Sequence, residues 1–273
     1  MRELHSKWMS SFRRDQRNNN AMHAKPDLRV FLEWMIAGSG SVITDVIWLT
    51  RIGRDMSKDK NSTTKPSSYN RSNALAYARS KWTSVSTDNY IGVGSSPGYK
   101  QVPAGTIFVR KTADDPGTEV ARLPDGSEIP LSELEDCAHF ISCCIGEPPN
   151  GTGGGLKIGS EFSGVYGYIA ARRLFDKLKS GSFIDIVGAE RMNKTATKTR
   201  IDAGEIGAGD LVFYYFEKNG VPQAEPGHVG LYLGDAGKHI ACHTYCRCDQ
   251  ANDYDQSWES VNAAYAYTLA KIK

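Results

Sequence analysis

The chain has 273 residues, of which 40% are hydrophobic and 23% are charged, and both values are ordinary for a soluble globular protein. Its 33 Lys and Arg residues stand against 31 Asp and Glu residues, and the net charge of +2 excludes the strongly basic surface of a general nucleic-acid binder. A chain of this length buries a substantial core, so one large domain, alone or with an extension, is expected.

Residues 1–66 are predicted to form a helical extension followed by a linker. The first 25 residues are polar and Asn-rich, and apolar positions in 28–35 and 42–49 recur at helical spacing on either side of a Gly-Ser run. Residues 55–68 are rich in Lys, Ser, Thr and Asn, which is typical of a linker.

The same region carries neither a secretion signal nor a membrane span. The first ten residues include Glu3, His5 and Lys7, and no apolar segment of the kind found in signal peptides follows them. Synthesis in the cytoplasm without a signal peptide is therefore expected. The most apolar stretch, 30–49, is interrupted by Glu33 and Asp45. A substrate outside the cell would then require another export route, such as a secretion system or phage lysis.

From residue 69 onward the pattern alternates between helix and strand and predicts a second domain over 69–273. An Ala-rich helix is predicted over 69–82, and a β segment over 102–130 contains strands at 106–110 and 118–123, followed by an Asp-Gly turn at 124–127. The remaining predictions are helices beginning at Cys137 and over 170–178, and strands over 211–216, 229–233, 238–242 and 263–271.

Cys137 begins an apolar helix directly after a polar segment. Unpaired N–H groups and the positive end of the helix dipole stabilise a thiolate at such a position, and the Cys137 N–H is itself a candidate oxyanion donor. Asp136 is a candidate helix cap. Taken alone, a free cysteine is more often a buried structural residue.

His228 begins an alternating strand and is the candidate base for Cys137. Val229 and Leu231 share one face of this strand, whereas His228 and Gly230 share the other. If the first face is core, His228 faces a cleft, and Gly230 leaves room beside it for a substrate or for the Cys137 helix. The alternative for a lone histidine at a strand end is a polar surface residue.

A third polar group should orient the imidazole of the base. The candidates, in order of preference, are His243, His239 and Asp249. The competing interpretation of residues 242–248 is metal binding, but Cys-x3-Cys-x-Cys is not a zinc-ribbon spacing, so neither a metal nor a cofactor is expected. Cys143 and Cys144 are interpreted as helix packing.

These segments resemble a known family. The sequence Asp-Cys-Ala-His-Phe-Ile-Ser at 136–142 is similar to the Asp-Cys-x-Asn-Phe-[Val/Ile]-Ser motif of the bacterial amidase domain in the NlpC/P60 (papain-like) superfamily, with His139 where Asn is usual. Residues 69–78 resemble the opening helix of that domain, 209–213 and 228–232 its strand motifs, and 243–247 its closing segment. The resemblance covers about 69–271, and the β segment at 102–130 is an insertion relative to the family.

The resemblance implies an α+β papain-like fold in which a Cys-headed helix packs on an antiparallel sheet. Cys137 then matches the nucleophile, His228 the base and His243 the third polar group. The implied activity is hydrolysis of amide bonds in peptidoglycan stem peptides, by a lytic enzyme or by an injected antibacterial effector. An injected toxin would have a cognate immunity protein as its partner.

Two other functions fit the same residues. A papain-like deamidase or an acyl or amide transferase would use the same Cys–His chemistry on a substrate outside the cell wall. A non-catalytic module would instead bind a partner, for example through apolar helix faces around Trp34 and Trp48, although packing within the protein is the more usual role of such faces.

Overall fold

The computed structural model describes residues 69–94, 98–110, 119–130, 134–244, 257–261 and 264–273, all within the compact unit Thr64–Lys273. The helices predicted in the first 66 residues lie outside the described residues. The described helices are α1 (Arg71–Lys81), α2 (Cys137–Ile145), α3 (Ala171–Ser180), α4 (Lys194–Asp202) and a short 3₁₀ helix (Trp258–Ser260). The described strands are β1 (Tyr90–Gly92), β2 (Tyr99–Gln101), β3 (Ile107–Arg110), β4 (Glu119–Arg122), β5 (Glu128–Pro130), β6 (Ile184–Met192), β7 (Leu211–Lys218), β8 (Val221–Pro222), β9 (His228–Tyr232), β10 (Ile240–Ala241) and β11 (Ala264–Ile272).

The main sheet has the strand order β10-β9-β7-β11-β6, with β8 paired to β7, and all its neighbouring strands are antiparallel. Two smaller antiparallel sheets consist of β1-β2 and β3-β4-β5. The fold is therefore mixed α+β with antiparallel sheets, as the sequence predicts at that level.

Both faces of the main sheet are buried. Phe213 and Tyr215 of β7 belong to one apolar cluster, which also contains side chains of α1, α2 and α3. Val212 and Tyr214 belong to a second cluster, which contains Ile201 of α4. Alternate residues of a strand point to opposite faces, so β7 supplies both clusters. We call these the first and second core.

The start of α1 is fixed to the main sheet by polar contacts. Asn70 caps the helix, since its side chain accepts a hydrogen bond from the Asn73 N–H. The Arg71 guanidinium then donates to Asp210 Oδ1 at 2.6 Å and to the Ile272 carbonyl oxygen at 2.6 Å. These bonds connect α1 to the beginning of β7 and the end of β11.

Most predicted elements of the second domain are present, with bounds shifted by a few residues. The predicted strands 106–110 and 118–123 correspond to β3 and β4, which pair with each other. The predicted turn at Asp125-Gly126 joins β4 to β5, a strand that was not predicted. Strand β6 and helix α4 were also missed. Within the part of the chain that is described, no helix is both long and apolar enough to cross a membrane.

Candidate active site

Cys137 is the first residue of α2, and this helix packs against β9, the strand that begins at His228. The side chain of Cys137 lies in the first core and is 6% exposed. The backbone of Val229 is close enough to its sulphur to act to lower the pKa of the thiol. The sulphur therefore lies against the backbone of β9, one residue beyond His228.

The Cys137 thiol is protonated at neutral pH in this arrangement. Burial, with a smaller contribution from the negative charge of Asp136, raises its pKa to about 12, although the backbone groups of Val229 and Ala138 oppose the rise. The N-terminal position on α2 therefore does not by itself yield a thiolate. A nucleophilic Cys137 needs a base that removes its proton.

The ring of His228 lies on the Tyr214 side of β9. His228 is the register partner of Tyr214, and their ring centroids are 5.5 Å apart. Tyr214 belongs to the second core, whereas Cys137 and Val229 belong to the first. The backbone of β9 thus brings Cys137 and His228 together, while strand alternation turns the imidazole toward the other face. Their roles as nucleophile and base remain a prediction.

Gly230 does not leave room for a substrate. A Cβ at this position would lie 2.9 Å from Ile240 Cδ1, so the missing side chain accommodates Ile240 of the neighbouring strand. The prediction that Gly230 opens space beside His228 is therefore wrong. The physical reason is that the second core covers this face of the sheet.

Asp136 occupies the cap position of α2, but its carboxylate does not cap the helix. Instead, Asp136 Oδ1 accepts from the Gly92 N–H at 2.5 Å and lies 2.9 Å from His139 Nδ1, and Asp136 Oδ2 lies 2.5 Å from His243 Nδ1. The carboxylate is fully buried. It therefore joins β1, α2 and the segment after β10 at the residue that precedes Cys137.

The close approach of β1 to this point depends on a glycine. A Cβ at Gly92 would lie 2.4 Å from the Glu135 carbonyl oxygen, a distance that no side chain tolerates. The Glu135 N–H also donates to the Gly92 carbonyl oxygen at 3.0 Å. The backbone of β1 thus holds the two residues directly before Cys137.

The two histidines around Asp136 determine its charge. Burial alone would raise the pKa of Asp136, but the positive charges and hydrogen bonds of His139 and His243 outweigh burial and lower it to about 2. Burial likewise acts to lower the pKa of His139, and the negative charges of Cys143 and Asp136 reverse this and raise it well above its ordinary value. Asp136 is therefore ionised throughout the physiological range.

His243 makes two hydrogen bonds, one from each ring nitrogen. Nδ1 bonds Asp136, and Nε2 lies 2.7 Å from the Lys81 carbonyl oxygen. The ring stacks on Phe140 with a centroid distance of 3.9 Å and also contacts Phe108. The imidazole of His243 is therefore bound to Asp136 and to the end of α1, and none of these contacts involves His228. The role of third triad member remains a prediction for His243.

The other two candidates for the third polar group are placed differently. His239 is partly exposed, and its Nδ1 lies 2.8 Å from Asp235 Oδ2. Asp249 lies outside the described residues. Neither position adds an observed partner for His228.

A second polar cluster that the sequence analysis missed lies on the same helix. His139 Nε2 lies 3.0 Å from Asp88 Oδ2 and 3.7 Å from Cys143 Sγ. His139 and Cys143 are spaced i,i+4 on α2, and His139 departs from the Asn of the amidase motif. These two signals were visible in the sequence, whereas the approach of Asp88 from the segment before β1 was not.

Ser86 lies beside this cluster. It is 1% exposed, and its hydroxyl is near enough to Cys143 to oppose the rise in thiol pKa that burial causes. Even so, Ser86 Oγ is not in hydrogen-bonding geometry with any residue in the described ranges.

Comparison with known proteins adds no assignment, since no family model, curated protein or solved structure matches this chain.

Proposed function

We propose that this protein is a cysteine hydrolase of amide bonds with the papain-like arrangement of the NlpC/P60 superfamily. The observation that carries the proposal is the packing of α2, which begins at Cys137, against β9, which begins at His228. The chain order of Cys helix, strand β7 and His strand β9 on one antiparallel sheet supports the same proposal.

The proposed chemistry begins with transfer of the Cys137 proton to His228. The sulphur then attacks the carbonyl carbon of the substrate amide, and the Cys137 backbone N–H stabilises the oxyanion. His228 returns the proton to the leaving amine, and water hydrolyses the thioester to regenerate the thiol. Because the imidazole lies on the Tyr214 side of β9, the first step requires it to turn around the strand end toward the sulphur.

The proposed substrate is the stem peptide of peptidoglycan. This part of the proposal rests on the resemblance of residues 136–142, 69–78 and 228–232 to the amidase domain. A lytic enzyme or an injected effector would act on that substrate, and the effector would be blocked by an immunity protein. A deamidase or transferase would use the same Cys137 chemistry and release ammonia or transfer the acyl group instead of cleaving a peptide.

The test is digestion of purified peptidoglycan by the full chain and by Cys137→Ala, with released fragments identified by mass spectrometry. Cys144→Ala is the matched control, because Cys144 is a buried cysteine of the same helix outside the proposed chemistry. New stem-peptide fragments from wild type and Cys144→Ala, and none from Cys137→Ala, are expected. Fragments from Cys137→Ala would end the proposal.

A non-catalytic module is the second candidate, and two observations favour it. The Cys137 thiol is buried with a pKa near 12, and the His228 ring lies beside Tyr214. For such a module, wild type and Cys137→Ala would both release neither fragments nor ammonia from peptidoglycan or glutamine peptides. That result, together with a Cys137 that is not alkylated at neutral pH, would favour the binding module.

A further inference from the structure

We propose that Asp88, His139 and Cys143 bind a structural zinc ion inside the second domain. The proposal concerns a cluster separate from Cys137 and His228, and it does not depend on the proposed function. It also departs from the sequence analysis, which expected no metal.

The three side chains offer the types of ligand atom that zinc binds. Asp88 Oδ2, His139 Nε2 and Cys143 Sγ all lie within 4.8 Å of one another. One carboxylate oxygen, one imidazole nitrogen and one thiolate sulphur are the three ligand types that Zn²⁺ takes in proteins, and a thiolate with an imidazole favours zinc over Mg²⁺ or Ca²⁺. Helix α2 supplies two of these ligands at i,i+4, and the segment before β1 supplies the third.

Two of the three donor separations are close to those of a tetrahedral zinc site. Zn–S of about 2.3 Å, Zn–N of about 2.05 Å and Zn–O of about 2.0 Å at tetrahedral angles imply about 3.6 Å between S and N and about 3.3 Å between N and O. The observed separations are 3.7 Å for Cys143 Sγ to His139 Nε2 and 3.0 Å for His139 Nε2 to Asp88 Oδ2.

His139 Nε2 is close to two polar groups at once. His139 Nε2 has a single in-plane direction, either an N–H or a lone pair, yet both Asp88 Oδ2 and Cys143 Sγ approach it. A single N–H shared between them gives each only a bent, weaker hydrogen bond. A cation between the three atoms is bound by the nitrogen lone pair, the carboxylate and the thiolate together.

Hydrogen bonds from other parts of the chain orient two of the ligands, His139 and Asp88. His139 Nδ1 lies 2.9 Å from Asp136 Oδ1, the carboxylate–histidine arrangement that fixes the tautomer of a zinc-binding imidazole. Asp88 accepts from the Tyr90 N–H at 3.2 Å and from the Tyr166 N–H at 3.1 Å. Ligand orientation is thus provided by three separate segments of the chain.

A further polar group, the buried hydroxyl of Ser86, lies beside Cys143. We assign Ser86 Oγ as the fourth ligand, or as the group that holds a zinc-bound water. All three main ligands are shielded from solvent, with side-chain exposures of 0% for His139 and Cys143 and 2% for Asp88. This burial is typical of a closed structural site and not of a catalytic one.

The primary experiment measures the zinc content of the purified full chain by plasma mass spectrometry. One zinc per chain is expected for wild type, and a loss of at least tenfold in zinc affinity is expected for Cys143→Ala and His139→Asn. Cys144→Ala is the matched control and should keep its zinc. The double variant Cys246→Ser/Cys248→Ser tests the rival cluster outside the described residues and should also keep it.

Two measurements on wild type remain informative if the ligand variants fail to fold. Replacement by Co²⁺ should give tetrahedral visible bands and a thiolate-to-cobalt charge-transfer band. X-ray absorption at the zinc edge should give one sulphur at about 2.3 Å and N/O ligands at about 2.0–2.2 Å.

Three results would overturn the zinc site. The first is wild type without zinc after expression and dialysis with Zn²⁺. The second is zinc that disappears with Cys246 and Cys248 but survives Cys143→Ala. The third is a zinc edge spectrum with two or more sulphur ligands.

Discussion

Asp136 Oδ2 lies 2.5 Å from His243 Nδ1, although the two residues are 107 positions apart in the chain. The contact joins the residue before α2 to His243, which lies two residues beyond β10, and neither side chain is exposed. Buried ionic contacts of this kind hold elements in place, because breaking one leaves an uncompensated charge away from water. The position of Cys137 therefore depends on a network that does not include the sulphur itself.

Asp136→Asn should lower the free energy of unfolding by about 3–5 kcal/mol, since it removes a buried carboxylate that bonds Gly92, His139 and His243. Urea unfolding followed by circular dichroism measures this loss. Asp125→Asn is the matched control, because Asp125 lies in an exposed turn, and a change within about 0.5 kcal/mol is expected there. Equal effects of the two substitutions would show that the Asp136 network does not hold the fold.

His243→Asn should destabilise the protein by about 1–3 kcal/mol, because the Lys81 carbonyl oxygen and Asp136 would lose hydrogen-bond partners. His239→Asn should change stability little. The His239 side chain is about one-third exposed, and its hydrogen bond to Asp235 lies near the surface, where such pairs contribute little. Thermal unfolding of both variants measures the difference. A stable but inactive His243→Asn would instead favour the catalytic role that the amidase resemblance implies.

Gly230→Ala should cost about 1–3 kcal/mol, because the new methyl group would lie 2.9 Å from Ile240 Cδ1 in the second core. Gly207→Ala offers a contrast, since a Cβ there meets no atom within 4 Å. That variant should be neutral or stabilised by up to about 1 kcal/mol. Urea midpoints of the two variants provide the test. A neutral Gly230→Ala would mean that β10 can move away from β9.

The elements predicted correctly from sequence are those with a strong periodic pattern. Strand β9 has five consecutive buried residues, and Ala-rich α1 has a capping Asn70. Strand β6 was missed because most of its residues are exposed or half-buried at the sheet edge, so its apolar pattern is weak. Helix α4 was missed because it is polar, although Asn193 provides a standard cap.

The side-chain contacts of the site were less predictable than its elements. The sequence predicts Asp136 to be a helix cap. In the structure it instead bonds His243 and Gly92, which belong to segments far away in the chain. The alternation of β9 was predicted correctly, but the burial of both sheet faces was not, and this burial puts His228 beside Tyr214. The spacing of residues along a strand determines on which face of the sheet each side chain lies. Tertiary packing determines which other elements cover that face.

Alkylation of the native protein should label Cys137 before the other described cysteines. Cys137 is 6% exposed, whereas Cys143, Cys144 and Cys242 are fully buried. Because burial raises the Cys137 pKa to about 12, the thiolate fraction at pH 7 is small, and labelling should accelerate about tenfold per pH unit between pH 7 and 10. Peptide mapping after brief iodoacetamide treatment measures each site, and the unfolded chain serves as the control in which all sites react. Equal labelling of Cys137 and Cys144 in the native state would contradict the packing of α2, and rapid labelling of Cys137 already at pH 7 would mean that a nearby base holds it as a thiolate.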